Sequence, residues 1–347
     1  MTGKTKNPNE TAVPRRGCWY YAKRGLLRVG VVLAVLIILG IAYQTIATEQ
    51  DKGKYAPRGQ LYNVNGHQMH MICMGKGSPT VILQAGGLAE STWWYWVQNQ
   101  LAAFTRVCAF DRPGFGWSEA VDDPRDALTI NAELHSLLQQ AGIAPPYVMA
   151  GHSLGAMWTR VYAKQYPPEI IGIVLVDSAA TPASEPFPSQ SAFEEWKTPR
   201  ILGQAVVWVA YRIGVERLTA PTSFQGVGYP ADLALEMATL QSPNRVFDAS
   251  YAEQIPGMWG TINATAAVQD LGALPTIILW AGSSTDMQVV RVALRKELSA
   301  LSSNSVTRFI EGADHGSILG TEQYAQQVTN AILDVIAAAQ TGKSLSE

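Results

Sequence analysis

The pentapeptide Gly151-His152-Ser153-Leu154-Gly155 constrains the fold of this chain more than any other segment. An apolar run at 146–150 precedes it and indicates a buried strand, and residues 156–166 indicate a helix that two prolines end. Between a strand and a helix, G-x-S-x-G is typical of a nucleophile elbow, a sharp turn that exposes the serine hydroxyl. Glycine suits both flanking positions because a side chain there would collide with the adjacent strand or helix. The sequence therefore predicts a strand–turn–helix unit that presents Ser153.

Apolar runs and amphipathic segments alternate along most of the chain, which predicts an α/β fold with a mainly parallel sheet. Asn65-Gly66 predicts a type I′ hairpin between strands 60–64 and 67–74. Further strands are predicted at 80–85, 106–110, 170–176, 275–281 and 305–310, and helices at 92–104, 126–141 and 322–339.

The alternation stops between Ser178 and Leu271, a segment rich in Trp, Pro and Met with helical stretches such as Ala205–Leu218. Such a segment is too long for a plain loop. We therefore expect an α/β core at 60–178 and 271–342, and an inserted helical cap at 179–270.

Residues 26–47 form the only membrane-like segment. A basic tail at 1–25 precedes it and a polar linker at 48–59 follows. The basic cluster predicts a single-pass anchor with a cytoplasmic N-terminus and an extracytoplasmic body. The alternative is a signal peptide cleaved after small residues such as Thr45 and Ala47, which would give a secreted protein.

Charge and cysteine content narrow the partners and the compartment. Beyond Arg28 the chain carries 19 basic and 27 acidic residues, a formal charge of −8, which argues against nucleic-acid binding. Cys18 is expected on the cytoplasmic side as a free thiol. Cys73 and Cys108 fall in two predicted strands of the exported body, where they form either a disulfide or two ordinary buried cysteines.

A serine hydroxyl needs a base within hydrogen-bond reach, and the chain has five histidines. The elbow turn directs the side chain of His152 away from Ser153. His67 and His70 lie on the hairpin at the far sheet edge, and His135 lies on a polar helix face. His315 remains, after a late strand, where the chain order Ser…Asp…His places a base.

The remaining site residues are an acid and two backbone donors. The acid that orients the imidazole is expected at Asp286, after strand 275–281, with Asp177 at the end of strand 170–176 as the alternative. The oxyanion donors are expected at the amide of Leu154 and at Gly87, with Leu88 as the neighbouring possibility.

These features resemble the α/β-hydrolase superfamily, in particular bacterial membrane-anchored or exported serine hydrolases. The resemblance extends from about Gln60 to the C-terminus and rests on 80–87, 106–118, 151–155, 173–178 and the His315 turn. It implies an eight-stranded, mainly parallel sheet with helices on both faces, with Ser153, His315 and Asp286 as catalytic residues. It also implies loop-bracing roles for Asp111 and Arg112. Two departures are Ala85-Gly86 where the family has His-Gly, and Asp286 four residues after Gly282 instead of three.

The resemblance implies cleavage of a carboxylic ester or related acyl bond through an acyl-serine, without metal or organic cofactor. The expected substrate is a small, uncharged, apolar acyl compound, because the cap is apolar. An acyltransferase or aminopeptidase with the same triad, and a non-catalytic binding protein on this scaffold, are the alternatives.

Overall fold

A computed structural model describes residues 18–122, 125–179, 189–282 and 289–345 of the chain. Eight strands form one sheet: β1 (Gln60–Val64), β2 (His67–Met74), β3 (Thr80–Gln84), β4 (Val107–Phe110), β5 (Tyr147–His152), β6 (Ile170–Val176), β7 (Thr276–Ala281) and β8 (Ser305–Ile310). The helices are α1 (Cys18–Asp51), α2 (Tyr95–Leu101), α3 (Ala127–Gln140), α4 (Leu154–Gln165), α5 (Gln190–Arg212), α6 (Glu216–Gly226), α7 (Ala231–Gln241), α8 (Asn244–Gln254), α9 (Met258–Ala266), α10 (Val289–Ala300), α11 (Ser317–Gly320) and α12 (Glu322–Thr341).

The sheet has the order β1-β2-β4-β3-β5-β6-β7-β8. Strand β2 pairs antiparallel with β1 and with β4, and every other pairing is parallel. The chain order reverses around β3, so β3 and β5 lie side by side and their carboxyl ends open a crevice between the two halves of the sheet. In open parallel sheets this crevice is the usual position of a ligand site.

Strand residues alternate between two apolar layers. Val81 and Leu83 face a core that contains α2 and α12, whereas Ile82 faces a core that contains α3, α4 and α10. Because both faces of the central strands are buried, their sequences are continuously apolar rather than alternating. The predicted eight-stranded, mainly parallel sheet with helices on both faces is confirmed.

Local signals explain most element boundaries. Asn65 and Gly66 both adopt positive φ, as a type I′ turn requires. Asp126 caps α3 by accepting a hydrogen bond from the Thr129 amide. The predicted helix at 92–104 is shorter than expected, because residues 91–94 form a 3₁₀ turn and α2 ends at Leu101.

The predicted helical stretch Ala205–Leu218 is wrong as a single helix. It is divided between α5 and α6 because Gly214 adopts a φ of 78°. Five helices, α5 to α9, occupy residues 190–266 between β6 and β7. Helix α10 was not predicted from the sequence.

Helix α1 begins before the predicted apolar segment and continues four residues into the predicted linker. Its 18-residue apolar window has a mean hydropathy of 2.6, so the helix is long and apolar enough to cross a membrane, which fits membrane anchoring. Its C-terminal third contacts the body: Gln44 Nε2 donates to the Ser242 carbonyl oxygen at 2.7 Å.

Cys73 and Cys108 face each other across β2 and β4 and form a disulfide. Of the two interpretations of these cysteines, the structure shows the bridge. Such a bond is typical of proteins in oxidising compartments.

Candidate active site

Ser153 lies on the tight turn between β5 and α4, with φ 55° and ψ −120°. Its amide donates to the Val176 carbonyl oxygen at 3.0 Å, which joins the turn to the end of β6. A Cβ at Gly151 would overlap the carbonyl oxygen of Gly155, and a Cβ at Gly155 would overlap that of Gln84. The two glycines therefore allow the close strand–helix packing that holds Ser153 in a strained, outward-facing conformation.

The imidazole of His315 lies beside the carboxylate of Asp177, with 2.5 Å between His315 Nδ1 and Asp177 Oδ2. The other carboxylate oxygen, Oδ1, accepts a hydrogen bond from the Ala281 amide at 3.2 Å. Asp177 is buried and has a φ of 40°, whereas the His315 side chain is 51% exposed. A fixed, buried carboxylate thus orients an accessible imidazole, which leaves Nε2 of the ring available to a reacting group.

His152 supports the His315 turn, a role that the sequence did not reveal. Its Nε2 lies 3.0 Å from the His315 carbonyl oxygen, and the two rings lie 4.5 Å apart between centroids. Burial, with a further contribution from neighbouring His315, lowers the pKa of His152 to about 3. His152 is therefore neutral, and because a carbonyl oxygen only accepts, its Nε2 carries the proton.

The side chain of His152, the residue before Ser153, thus links the elbow to the His315 turn through the His315 carbonyl oxygen. Among the described residues, no hydrogen bond joins Ser153 Oγ to the His315 ring. Catalytic hydrogen bonds are often long in unliganded enzymes and shorten when substrate binds. Asp286, the expected acid, lies outside the described residues, and the alternative, Asp177, holds the His315 ring.

Two further histidines, His70 and His135, have structural partners. His70 is fully buried on β2, accepts a hydrogen bond from the Gly59 amide at Nε2, and lies 2.8 Å from Asp111 through Nδ1. His135 lies 2.9 Å from Glu169, and its ring stacks on that of Tyr166.

The loop after β3 faces the elbow. A Cβ on Gly86 would lie 2.9 Å from Ser153 Cβ, and one on Gly87 would lie 3.0 Å from a methyl carbon of Leu154. Leu88 follows with a φ of 61°. The absence of side chains at 86 and 87 therefore leaves room for the backbone beside the serine.

Arg112 fixes the direction of this loop. Its guanidinium donates to the carbonyl oxygens of Ala85 and Gly86 at 3.0 and 2.8 Å. In a trans peptide the carbonyl and the following N–H point in opposite directions. Because the Gly86 oxygen is held toward Arg112, the Gly87 N–H points away from it. By holding these two carbonyl oxygens, Arg112 sets the direction of the Gly87 N–H.

Two side chains from the helices between β6 and β7 complete the support of this loop. Glu253 on α8 binds the Arg112 guanidinium at 2.7 and 3.1 Å, and both side chains are buried. Gln241 on α7 donates to the Leu88 carbonyl oxygen and to Glu90, both at 2.9 Å. Burial raises the pKa of Glu90 to about 7. Sequence reasoning missed Glu253 and Gln241, because they lie far along the chain from the loop and carry no local motif.

A cavity of about 420 Å³ lies elsewhere, between the end of α1 and the body. Its lining includes Asp51, Tyr55, Trp117 and Arg245, and none of the candidate site residues described above. We assign the site from the serine, histidine and carboxylate geometry, because size alone does not place reactive groups.

The fold and the elbow define a class: an open parallel sheet that presents a serine and an imidazole at the carboxyl ends of its strands. The chain belongs to the alpha/beta hydrolase family, whose sequence profile matches residues 81–331. Membership supports a hydrolytic enzyme.

Among sequence relatives, an AB hydrolase superfamily protein of Gibberella zeae is 36% identical over 104 residues, covering 29% of this chain and 32% of that protein. An uncharacterized protein of Schizosaccharomyces pombe is 27% identical over 218 residues, covering 51% and 41%. The chain therefore spans less than half the length of these curated relatives.

Among solved structures, a putative lipase of Acinetobacter baumannii superposes with a TM-score of 0.62 at 21% identity, covering 86% of this chain and 97% of that one. At this identity the likeness shows the fold.

Proposed function

We propose that the protein is a membrane-anchored serine hydrolase that cleaves a carboxylic ester, or a related acyl bond, through an acyl-serine intermediate. The observation that carries this proposal is the contact between Asp177 and His315 beside the elbow that presents Ser153. An oriented imidazole next to a strained serine is the arrangement that nucleophilic acyl transfer requires.

The roles follow from the geometry. His315 Nε2 accepts the proton of Ser153 as Oγ attacks the acyl carbon, and Asp177 stabilises the resulting imidazolium. The amides of Leu154, at the N-terminus of α4, and of Gly87 donate to the developing oxyanion. The tetrahedral species expels the alcohol, which takes the proton from His315. Water, deprotonated by His315, then hydrolyses the acyl-serine.

The acid in this proposal is Asp177 rather than Asp286. Asp177 lies at the end of β6, adjacent to the strand that carries the elbow, and two hydrogen bonds already fix its carboxylate in line with the imidazole. A serine nucleophile favours acyl chemistry, and the structural likeness to a putative lipase agrees with it. The apolar residues of α5 to α9 favour an uncharged, apolar acyl substrate.

Helix α1 supports attachment to a membrane. The positive cluster before it favours a cytoplasmic N-terminus, and the disulfide between β2 and β4 favours an extracytoplasmic body. Release after cleavage of the N-terminal segment is the alternative outcome.

The test is fluorophosphonate labelling together with a panel of chromogenic acyl esters of graded chain length. We expect Ser153→Ala to abolish labelling and to lower kcat by a factor on the order of 10⁶, the loss typical of a removed nucleophile. Ser178→Ala is the matched control, because Ser178 lies one residue beyond the acid and its hydroxyl donates to the carbonyl oxygen of Ala179 at 3.3 Å.

Unchanged labelling and turnover in Ser153→Ala would refute the acyl-serine proposal. Preferential transfer of the acyl group to an added alcohol would identify an acyltransferase. Preferential cleavage of aminoacyl amides would identify an aminopeptidase. Folded wild-type protein that neither reacts with the probe nor turns over any ester would identify a binding protein on this scaffold.

A further inference from the structure

The C-terminal half of α5 is apolar and unusually exposed. Ten consecutive residues, 201–210, contain one polar side chain, Gln204. Leu202 and Val206 are 69% and 72% exposed, and Val207, Trp208 and Val209 are also exposed. Contiguous exposed apolar surface of this kind marks an interaction site rather than ordinary protein surface. We call residues 201–210 the α5 apolar face.

The C-terminal end of the α5 apolar face lies next to the helix that fits membrane anchoring. Helix α5 ends at Arg212, and a Cβ at Gly40 of α1 would lie 2.7 Å from Ile213 Cβ, so the two backbones are in close contact there. Gly40 lies seven residues before the end of the apolar segment 26–47, which is about 10 Å along a helix axis. The contact therefore lies at a depth that a spanning helix would place inside the membrane boundary.

Contacts between α6 and α1 indicate which part of the helices between β6 and β7 lies nearest the bilayer. Beyond Ile213, Arg217 of α6 donates to Gln44 Oε1 at 2.6 Å and to Thr48 Oγ1 at 2.9 Å, and it also pairs with Asp51. Along the chain from α5 to α6, the contacts on α1 thus advance from Gly40 toward Asp51 and away from the membrane. The end of α5 is consequently the membrane-proximal part of the helices between β6 and β7.

The residues around the α5 apolar face suit a membrane interface. Arg200 and Arg212 flank the face at its two ends, and between them the chain carries no charged residue. Trp208 lies within it and Trp196 lies just before it, with the Arg200 guanidinium 3.8 Å from the Trp196 ring centroid. Tryptophan is enriched at lipid headgroup depth, and arginine there can extend its charged end toward water and phosphate.

We propose that the α5 apolar face is a second membrane contact, embedded at the headgroup–acyl boundary beside α1. The proposal rests on the membrane anchoring in the proposed function and adds that the helices between β6 and β7 lie on the bilayer rather than above it. An interfacial helix of this kind typically buries its apolar face about 5–10 Å into the boundary.

The test uses the full chain in vesicles of phosphatidylcholine and phosphatidylglycerol. Cys73 and Cys108 are disulfide-bonded, so a Cys18→Ser background accepts one introduced thiol for an environment-sensitive fluorophore. Labels at Leu202→Cys and Val206→Cys probe the α5 apolar face. Ile37→Cys on α1 is the reference for lipid, and Gln327→Cys, exposed on α12, is the reference for water.

We expect the labels at 202 and 206 to emit at shorter wavelength than the label at 327, and to be quenched by lipids that carry bromine or nitroxide near the headgroup. Water-like, unquenched emission at 202 and 206, with quenching at 37 by lipids that carry bromine deep in their acyl chains, would overturn this proposal alone. Absence of quenching at 37 by those lipids would overturn the anchor and this proposal with it. Short-wavelength emission without lipid quenching, rising with the protein-to-lipid ratio, would show that a second copy of the chain covers the face and would also overturn it.

Discussion

Asp177 contacts the His315 imidazole, although the residues around it in the sequence form no motif that indicates this role. Its φ of 40° is costly for a non-glycine residue, and it is maintained because the Ala281 amide and the His315 ring both bind the carboxylate. Ser153 is strained in the same way at the end of the adjacent strand. Strained backbone at the ends of neighbouring strands is typical of a pre-organised reactive site.

The identity of the acid is testable by paired substitutions. We expect Asp177→Asn to lower kcat for ester hydrolysis by about 10⁴-fold, the effect typical of losing the carboxylate that orients a catalytic imidazole. Asp286→Asn is the control and should leave kcat within about twofold of wild type. The reverse pattern in steady-state kinetics would return the role of acid to Asp286.

Glu90 predicts a pH dependence of stability. Burial raises its pKa from 4.5 to about 7, so between these values the folded protein binds a proton that the unfolded chain has released. Stability from this group is therefore complete below about pH 4.5 and is lost as the pH rises through 7, by about 3 kcal/mol.

Glu90→Gln mimics the protonated carboxyl and should remove this loss, whereas Glu311→Gln, at an exposed position, should retain it. Denaturant unfolding of each variant between pH 5 and 8 measures the effect. Parallel pH profiles for wild type and Glu90→Gln would contradict the prediction.

At the scale of elements, the loop after β3 depends on helices that are remote in sequence. Arg112 follows β4, Glu253 lies at the end of α8 and Gln241 lies at the end of α7, yet together they hold the carbonyl oxygens of the loop. The helices between β6 and β7 thus position the backbone beside Ser153 in addition to covering apolar surface.

Arg112→Lys tests this positioning role. Lysine cannot bind two carbonyl oxygens and a carboxylate in one plane, so the Gly87 amide should lose its alignment. We expect kcat to fall about 10- to 100-fold with little change in KM, because an oxyanion donor acts mainly in the transition state. Arg125→Lys is the matched control, since Arg125 is also buried and pairs with Glu133 away from the loop.

Both lysine variants should be less stable than wild type, because each weakens a buried ion pair. Thermal unfolding measures that shared cost. If Arg112→Lys and Arg125→Lys lowered kcat equally, the effect would be one of general stability and the positioning role would be wrong.

At the scale of the whole molecule, α1, the helix that fits membrane anchoring, packs on the body through a polar junction. Gln44 is buried against Ser242 and Arg217, so α1 is packed on the body and is not a freely swinging tether. In the proposed anchored protein, this junction sets the orientation of the body relative to the membrane.

The predicted topology is tested in intact cells with a membrane-impermeant thiol reagent. Cys18 in the native chain should react only after the membrane is permeabilised, whereas Gln327→Cys in a Cys18→Ser background should react before it. The opposite order of labelling would invert the topology. A body recovered without its first residues in the soluble extracytoplasmic fraction would identify the secreted alternative.

The sequence by itself determined the strands of the sheet and the tight turn that carries Ser153. Strands β1, β2, β6 and β8 have the predicted bounds, because hairpin residues and continuous apolar runs are local signals. The G-x-S-x-G turn at Ser153 is also a local signal, although the close contact that requires glycine at 155 is with the Gln84 carbonyl oxygen of the neighbouring β3.

Only the tertiary structure decided which groups meet. The sequence left two candidate acids to pair with His315. The pairing of β6 with β5 and β7 brings the end of β6 beside the His315 turn, so Asp177 contacts the imidazole. The sequence likewise did not predict the roles of Glu253 and Gln241 or the docking of α1 on α5 and α6. Contacts between residues more than a hundred positions apart produce no periodic pattern in the sequence. Turns and strands depend on neighbouring residues, so the sequence predicts them. A site shared by distant segments depends on tertiary packing, which local sequence patterns do not reveal.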